Sequence, residues 1–142
     1  MVSDDYLCGV FDGEGYITIT HDDGLYGRRF TTRVLVGLQM RGGPIPDLMH
    51  ARFGGSVKRY GDAGMVAWYV TGKGAAEALA VFEAGCHIKR DLAVAAMDML
   101  ALTLPQGGYA KRGPTVSDDN LEKRREVAAR AVALHSAQYA DS

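Results

Sequence analysis

Residues 3 to 15 restrict the start of this chain to one local structure, an apolar helix that must stop abruptly at an acid. Ser3 is a helix N-cap residue, and Asp4 and Asp5 place negative charge at the positive end of the helix dipole. Tyr6, Leu7, Val10 and Phe11 then recur at helical spacing. Gly9 costs about 1 kcal/mol relative to alanine inside a helix, so it makes most sense where another backbone comes very close. Gly13 and Gly15 are expected to end the helix. Glu14 is then left at a C-terminal end where unpaired carbonyls already make the field negative. A carboxylate there calls for a cation, and a metal ion is the natural candidate.

The pattern changes at once to that of a strand. Tyr16-Ile17-Thr18-Ile19-Thr20 alternates, with Ile17 and Ile19 facing a core and Tyr16, Thr18 and Thr20 facing outward. His21-Asp22-Asp23-Gly24 reads as a turn, and Arg28 to Gln39 as the returning strand. Thr31, Arg33 and Gln39 share one parity, and Thr32, Val34, Val36 and Leu38 the other, which favours an outward Arg33. Pro44 to Phe53 reads as a short helix closed by Gly54. A second hairpin pairs Ser56 to Tyr60 with Met65 to Thr71. Its outward residues are expected to be Ser56, Lys58, Tyr60 and Tyr69, with Val57, Trp68 and Val70 inside. Helices over Ala75 to Ala84 and Ile88 to Leu104 follow, the second stopped by Pro105. The order is α-β-β-α-β-β-α-α, an α+β arrangement. A linker over 105–116 leads to a final helix over 117–142 whose apolar positions are Leu121, Val127, Ala131 and Leu134. Residues 1–104 form the core domain of this reading.

A chain of 142 residues with 47% hydrophobic and 23% charged residues is sized for one globular domain. No apolar run approaches the roughly 20 residues that cross a bilayer, and no signal peptide is visible, so the expectation is a soluble intracellular protein without a membrane partner. In a prokaryotic or phage setting that means the cytoplasm. Cys8 and Cys86 form neither a disulfide framework nor a zinc pattern, and both read as reduced and buried. His21, His50, His87 and His135 are too scattered for a zinc site and read as surface or turn residues. The net charge of −1 hides a sorted distribution. Residues 1–25 carry six acids and no Lys or Arg, while residues 26–60 carry seven bases against Asp47 alone. Such a basic, β-forming segment can supply phosphate contacts to a nucleic acid, or else be a solvated sheet face.

The nonapeptide Leu7-Cys8-Gly9-Val10-Phe11-Asp12-Gly13-Glu14-Gly15, with the strand that follows it, resembles the signature of the LAGLIDADG homing endonucleases in its Asp-Gly-Glu-Gly variant. Cys8 stands where that family places alanine. The resemblance implies an αββαββα fold whose four antiparallel strands form a saddle over DNA, with additional C-terminal helices. It implies that Glu14 binds a divalent metal at the scissile phosphate, helped by the backbone carbonyl of Gly13. The metal would be Mg²⁺ or another divalent cation such as Mn²⁺. Asp12 is assigned to a helix end or a structural role. By position, Gln39 and Lys89 correspond to the polar residue and the lysine that order water around the metals, with Arg90 the neighbouring alternative to Lys89.

In this family the signature helix packs against its twin. One motif therefore implies a homodimer, with Leu7, Gly9 and Val10 at the interface. Leu79 to Gly85 echoes the signature but lacks the packing glycine and the acid-glycine ending, so it is not a second copy. Double-stranded DNA is the implied partner, and Tyr16, Thr18, Thr20, Arg28, Arg29, Thr31, Arg33, Lys58, Tyr60 and Tyr69 are the candidate contacts. The implied activity is site-specific double-strand cleavage by metal-dependent phosphodiester hydrolysis. The alternatives are a cleavage-inactive DNA-binding regulator or RNA splicing cofactor (maturase) of the same fold, and an α/β interaction module unrelated to DNA.

Overall fold

A computed structural model of the chain describes residues 2–23, 31–61, 64–106 and 116–140. The elements run α1 (Asp4–Glu14), β1 (Gly15–Asp22), β2 (Thr31–Arg41), α2 (Ile45–Phe53), β3 (Ser56–Tyr60), β4 (Met65–Val70), α3 (Gly72–Gly85), α4 (Arg90–Gln106) and α5 (Asp118–Ala140). The four strands form one antiparallel sheet in the order β1-β2-β4-β3. Helices cover one face of it. Ile17, Ile19, Val34, Val36, Leu38, Trp68 and Val70 point into that layer and are buried. This is the α+β architecture and element order read from the sequence, with the parity of β2 as expected: Thr31, Arg33 and Gln39 exposed, Thr32, Val34, Val36 and Leu38 buried.

Aromatic side chains tie three helices to the sheet. Phe11 of α1 stacks on Phe82 of α3 with ring centroids 4.0 Å apart. Phe53 of α2 meets Phe82 edge-on at 5.3 Å and lies 6.0 Å from Trp68 of β4, whose indole N–H donates to the Gly54 carbonyl at 2.8 Å. Offset and edge-on pairs of this kind contribute about 0.5–1.5 kcal/mol each beyond their buried area. The contact between α1 and α3 is close because Gly85 has no side chain. A Cβ there would come 2.5 Å from the Cys8 sulfur, so the glycine makes room for the cysteine that stands in place of alanine.

Four boundary or burial expectations are corrected. β1 continues through His21 and Asp22, which pair with Thr32 and Thr31 instead of forming a turn. The His21 side chain is only 2% exposed, so this histidine belongs to the interior and not to the surface. Pro105 does not stop α4 before itself but occupies its final turn, where its missing N–H and its ring disturb only the end of the ladder. Leu7 is 1% exposed and packs in the chain's own core, so its side chain is not free for a partner. Most of the segment read as a linker, residues 107–115, lies outside the described residues, as does the tip 24–30 between β1 and β2. Among the described residues, no helix is long and apolar enough to cross a membrane.

Candidate active site and nucleic-acid interface

The site grows from the way α1 ends. Ser3 caps the helix start, its hydroxyl accepting the Tyr6 N–H at 3.1 Å, and Asp4 and Asp5 occupy the first turn. At the other end the chain turns straight into β1 at Gly15, in extended backbone with φ −79° and ψ 161°. Glycine is needed there for space, since a Cβ would collide with the Phe11 ring. Gly13 lies in the last turn of the helix, and Glu14 is its final residue, exposed, beside terminal carbonyls that have no onward helical partner.

The sheet register brings a second expected residue to the same place. Gly15 pairs with Leu38, so Glu14, just before Gly15, and Gln39, just after Leu38, flank one end of the β1–β2 ladder. Gln39 is exposed and pairs onward with Ala67 of β4. Lys89 arrives from the turn before α4. It is 8% exposed, and its ammonium lies 3.5 Å from the Asp12 carbonyl oxygen. Gly13, Glu14, Gln39 and Lys89 are therefore gathered around the C-terminal end of α1, whereas Arg90 turns to the Glu83 carbonyl at 3.2 Å.

Asp12 sets this arrangement. Its carboxylate accepts the backbone N–H groups of His87 at 2.8 Å, Ile88 at 3.1 Å and Lys89 at 3.0 Å, so it anchors the chain leading into α4 from a different helix. Burial alone would raise its pKa. The N–H bonds from His87, Lys89 and Ile88 and a contact with the Cys86 thiol outweigh that, and hold the carboxyl below its ordinary value. These donors are structural, which fits a supporting role for Asp12 and leaves Glu14 as the exposed acid.

One exposed carboxylate and nearby carbonyl oxygens are a donor set suited to a hard divalent cation that keeps several waters. Among the described residues, no group of three or more His, Cys, Asp or Glu side chains is placed to hold a metal ion.

The sheet face away from the helices carries the other candidates. Tyr16, Thr20, Thr31, Arg33, Lys58 and Tyr60 are exposed on it, and Thr18 and Tyr69 are half-buried. Thr20 pairs with Arg33 in one rung, and Tyr16, Gly37, Tyr69 and Ser56 line up across all four strands in another. Arg28 and Arg29 lie outside the described residues. The Lys58 ammonium sits 5.2 Å from the Tyr60 ring centroid, in cation–π range. Burial raises the Tyr16 phenol pKa, with neighbouring Tyr60 adding to the effect.

Two residues of this face were missed from the sequence. Gly37 lets Tyr16 lie across β2, since a Cβ there would come 2.7 Å from the tyrosine hydroxyl and 2.5 Å from the Trp68 carbonyl oxygen. The signal was available, because glycine inside a strand marks a close approach. Arg41, exposed and paired with Met65, extends the outward parity of β2. The basic segment divides here. Arg52 and Arg59 are taken up by Asp4 at 2.9 Å and Asp47 at 3.1 Å, while among the described residues Arg33, Arg41 and Lys58 enter no ion pair.

On α1, the interface candidates are divided. Gly9 and Gly13 are exposed, with no described atom beyond their chain neighbours and their own helix backbone within 4 Å of where a Cβ would lie, and Val10 is partly buried. Tyr6 at 49% exposure shares this outer face.

No protein-family model and no characterised protein matches the chain at the level of sequence. Solved structures do match. The homing endonuclease I-CvuI, crystallised with an I-CreI DNA target and 2 mM Mg, superposes with a TM-score of 0.74 at 20% identity, over 92% of this chain and 80% of that one. The archaeal intron-encoded homing endonuclease I-Vdi141I, in complex with DNA, gives 0.72 at 10% identity over 92% and 82%. The homing endonuclease I-TnaI gives 0.66 at 15% identity over 95% of both chains. At these identities the likeness defines the architecture, and the fold of this chain is that of the LAGLIDADG homing endonucleases.

Proposed function

We propose that the chain is one subunit of a homodimeric, site-specific DNA endonuclease that hydrolyses phosphodiesters in both strands with Mg²⁺ or a similar divalent ion. The observation that carries this reading is the convergence of Glu14, Gln39 and Lys89 on one helix end, beside a sheet face bearing the basic residues Arg33, Arg41 and Lys58, which enter no ion pair among the described residues. Glu14 and Gln39 are not required by the core, since both are exposed.

The homodimer reading is supported by the outer face of α1, which offers Gly9 and Gly13, where the space an added Cβ would take is open among the described residues and leaves room for a second helix backbone. A twin helix packed there brings a second Glu14 close to the first. When bound, a divalent ion would supply charge neutralisation at the phosphate and a nucleophilic water. Glu14 and the Gly13 carbonyl would hold it. Lys89, fixed by the last turn of α1, contributes a positive charge to the phosphate environment, and Gln39 supplies a hydrogen-bonding amide for ordering water.

The outward strands are proposed to enter the major groove. Arg33 is suited to guanine edges and Thr18 and Thr20 to thymine methyl groups, with Lys58, Arg41, Arg28 and Arg29 on phosphates. Tyr16, Tyr60, Tyr69 and Thr31 complete the face. Such an enzyme works as a soluble protein inside a cell.

The test is incubation of the purified chain with a randomised double-stranded DNA library and Mg²⁺, alongside a size measurement in solution. Discrete double-strand cuts at one sequence by a dimer support the proposal. Selective binding without cutting favours the regulator or maturase reading, and a monomer at micromolar concentration contradicts the shared site.

A further inference from the structure

A fully buried arginine stands behind the proposed DNA-reading surface. Arg124 of α5 is 0% exposed, and its guanidinium spans three elements. Its Nε donates to Asn120 Oδ1 at 2.6 Å within α5, Nη1 to Thr32 Oγ1 of β2 at 2.9 Å, and Nη2 to the Leu102 carbonyl of α4 at 3.4 Å. The same Thr32 hydroxyl lies 2.8 Å from His21 Nδ1 across the β1–β2 ladder, and His21 Nε2 lies 2.7 Å from Asp23. From the exposed side, Arg125 Nε donates to Asp23 at 2.9 Å.

Packing does not explain this choice of residue. Asn120, Arg124, Val127 and Ala131 form the buried stripe of α5, and a leucine or methionine would fill the central position without the cost of removing a guanidinium from water. Hydrogen bonds add direction, which apolar contact lacks. The fork fixes where Thr32 sits, and with it the rung Thr32–His21. The next rung is Thr20–Arg33, and because side chains alternate along a strand it faces outward. Any tilt or slide of the Thr32–His21 rung therefore displaces the outward pair.

We propose that Arg124 is a positioning residue for DNA recognition, holding the Thr20–Arg33 rung from behind through Thr32 so that these side chains meet one fixed block of base pairs. This deepens the endonuclease reading and rests on it. The β3–β4 half of the sheet makes none of the contacts described for Arg124, so its readout is expected to be independent of it.

The experiment compares cleavage rates on the preferred site and on all its single-base variants for the wild-type chain, Thr32→Val, Thr32→Ser and Arg124→Lys. Thr32→Val removes the acceptor at nearly constant volume. It is expected to reduce discrimination about tenfold within one contiguous block of each half-site, with the ratios elsewhere unchanged. Thr32→Ser, which keeps the hydroxyl, is expected to restore them. Arg124→Lys keeps a charge but cannot span the three acceptors, and is expected to lose the same block. It decides the matter if Thr32→Val does not fold. A purely structural role lowers all rates together and leaves the ratios intact, which would overturn the proposal while sparing the endonuclease reading. A wild-type chain with no site preference overturns both.

Discussion

The Asp12 carboxylate accepts the Lys89 backbone N–H at 3.0 Å, while the Lys89 ammonium reaches back to the Asp12 carbonyl at 3.5 Å. The last turn of α1 and the start of α4 are thereby joined across 77 residues of chain. Asp12→Asn replaces one of the two acceptor oxygens with an N–H₂ group facing backbone donors. Hydrogen bonds to a charged acceptor contribute about 1.5–3 kcal/mol each, and partial loss of the set is expected to lower stability by roughly 2 kcal/mol. Chemical denaturation checks this. An unchanged midpoint contradicts the anchoring role.

The same contact sets a pH dependence. Burial would raise the Asp12 pKa, but the His87, Lys89 and Ile88 N–H bonds and the Cys86 contact bring it below its ordinary 3.8. A group with a depressed folded pKa adds stability that is fully present above the unfolded value and is lost as pH falls through the folded one. The stability gap between wild type and Asp12→Asn is therefore expected to stay constant from neutral pH to just above 3.8 and to narrow in more acid solution. Denaturant midpoints over a pH series measure it. A gap that widens in acid contradicts the assignment.

Gly9 separates folding from association. Apart from its chain neighbours and the backbone of its own helix, no described atom lies within 4 Å of the position of an added Cβ on this exposed face, so a side chain at Gly9 starts into open space. Leucine is the better helix former by up to about 0.8 kcal/mol, so the subunit is expected to fold at least as well. Association is expected to weaken by more than tenfold, because the side chain stands where the twin helix would come. Sedimentation equilibrium with parallel circular dichroism distinguishes the two effects. Undiminished association places the dimer interface elsewhere.

Cys8 and Cys86 test the close packing of α1 on α3. Burial pushes the Cys8 thiol above its ordinary pKa, and it pushes the Cys86 thiol up further, with Asp12 adding to the effect. Both sulfurs are engaged, Cys8 with the Val81 carbonyl at 3.5 Å and Cys86 with the Cys8 carbonyl at 3.4 Å. Neither is expected to react with a thiol reagent at pH 8 until the protein unfolds, because the reactive form is the thiolate. Rapid reaction of native protein contradicts this packing.

What could be read from the chain was whatever depended on short periods. The alternation of Tyr16 to Thr20 and the parity that turns Arg33 outward are local patterns, and both match the observed burial. The acid at a helix end was equally local, since a helix start, a glycine and a strand start bracket Glu14 within a dozen residues. Arg124 was not legible, because an arginine on an otherwise polar helix reads as solvated and its partner Thr32 is 92 residues away. His21 misled for a related reason. A His-Asp-Asp-Gly run carries turn chemistry, but pairing with Thr32 and a place beside Arg124 override it. Leu7 shares the helical spacing of partner-facing positions, and only the tertiary packing decides that it belongs to this subunit's core.

Glu14→Gln is the most direct test of the proposed cleavage chemistry. The substitution keeps the size of an exposed side chain at the end of α1 and removes only its charge. Measured as single-turnover cleavage of the selected DNA site with Mg²⁺, it is expected to lower the rate by about a hundredfold to a thousandfold, the scale of losing one charge-stabilising group at a reacting centre. DNA affinity in Ca²⁺ is expected to stay within a few-fold of wild type. Cleavage that persists near the wild-type rate would contradict the assignment of Glu14 as the metal-holding acid and, with it, the reading of this site.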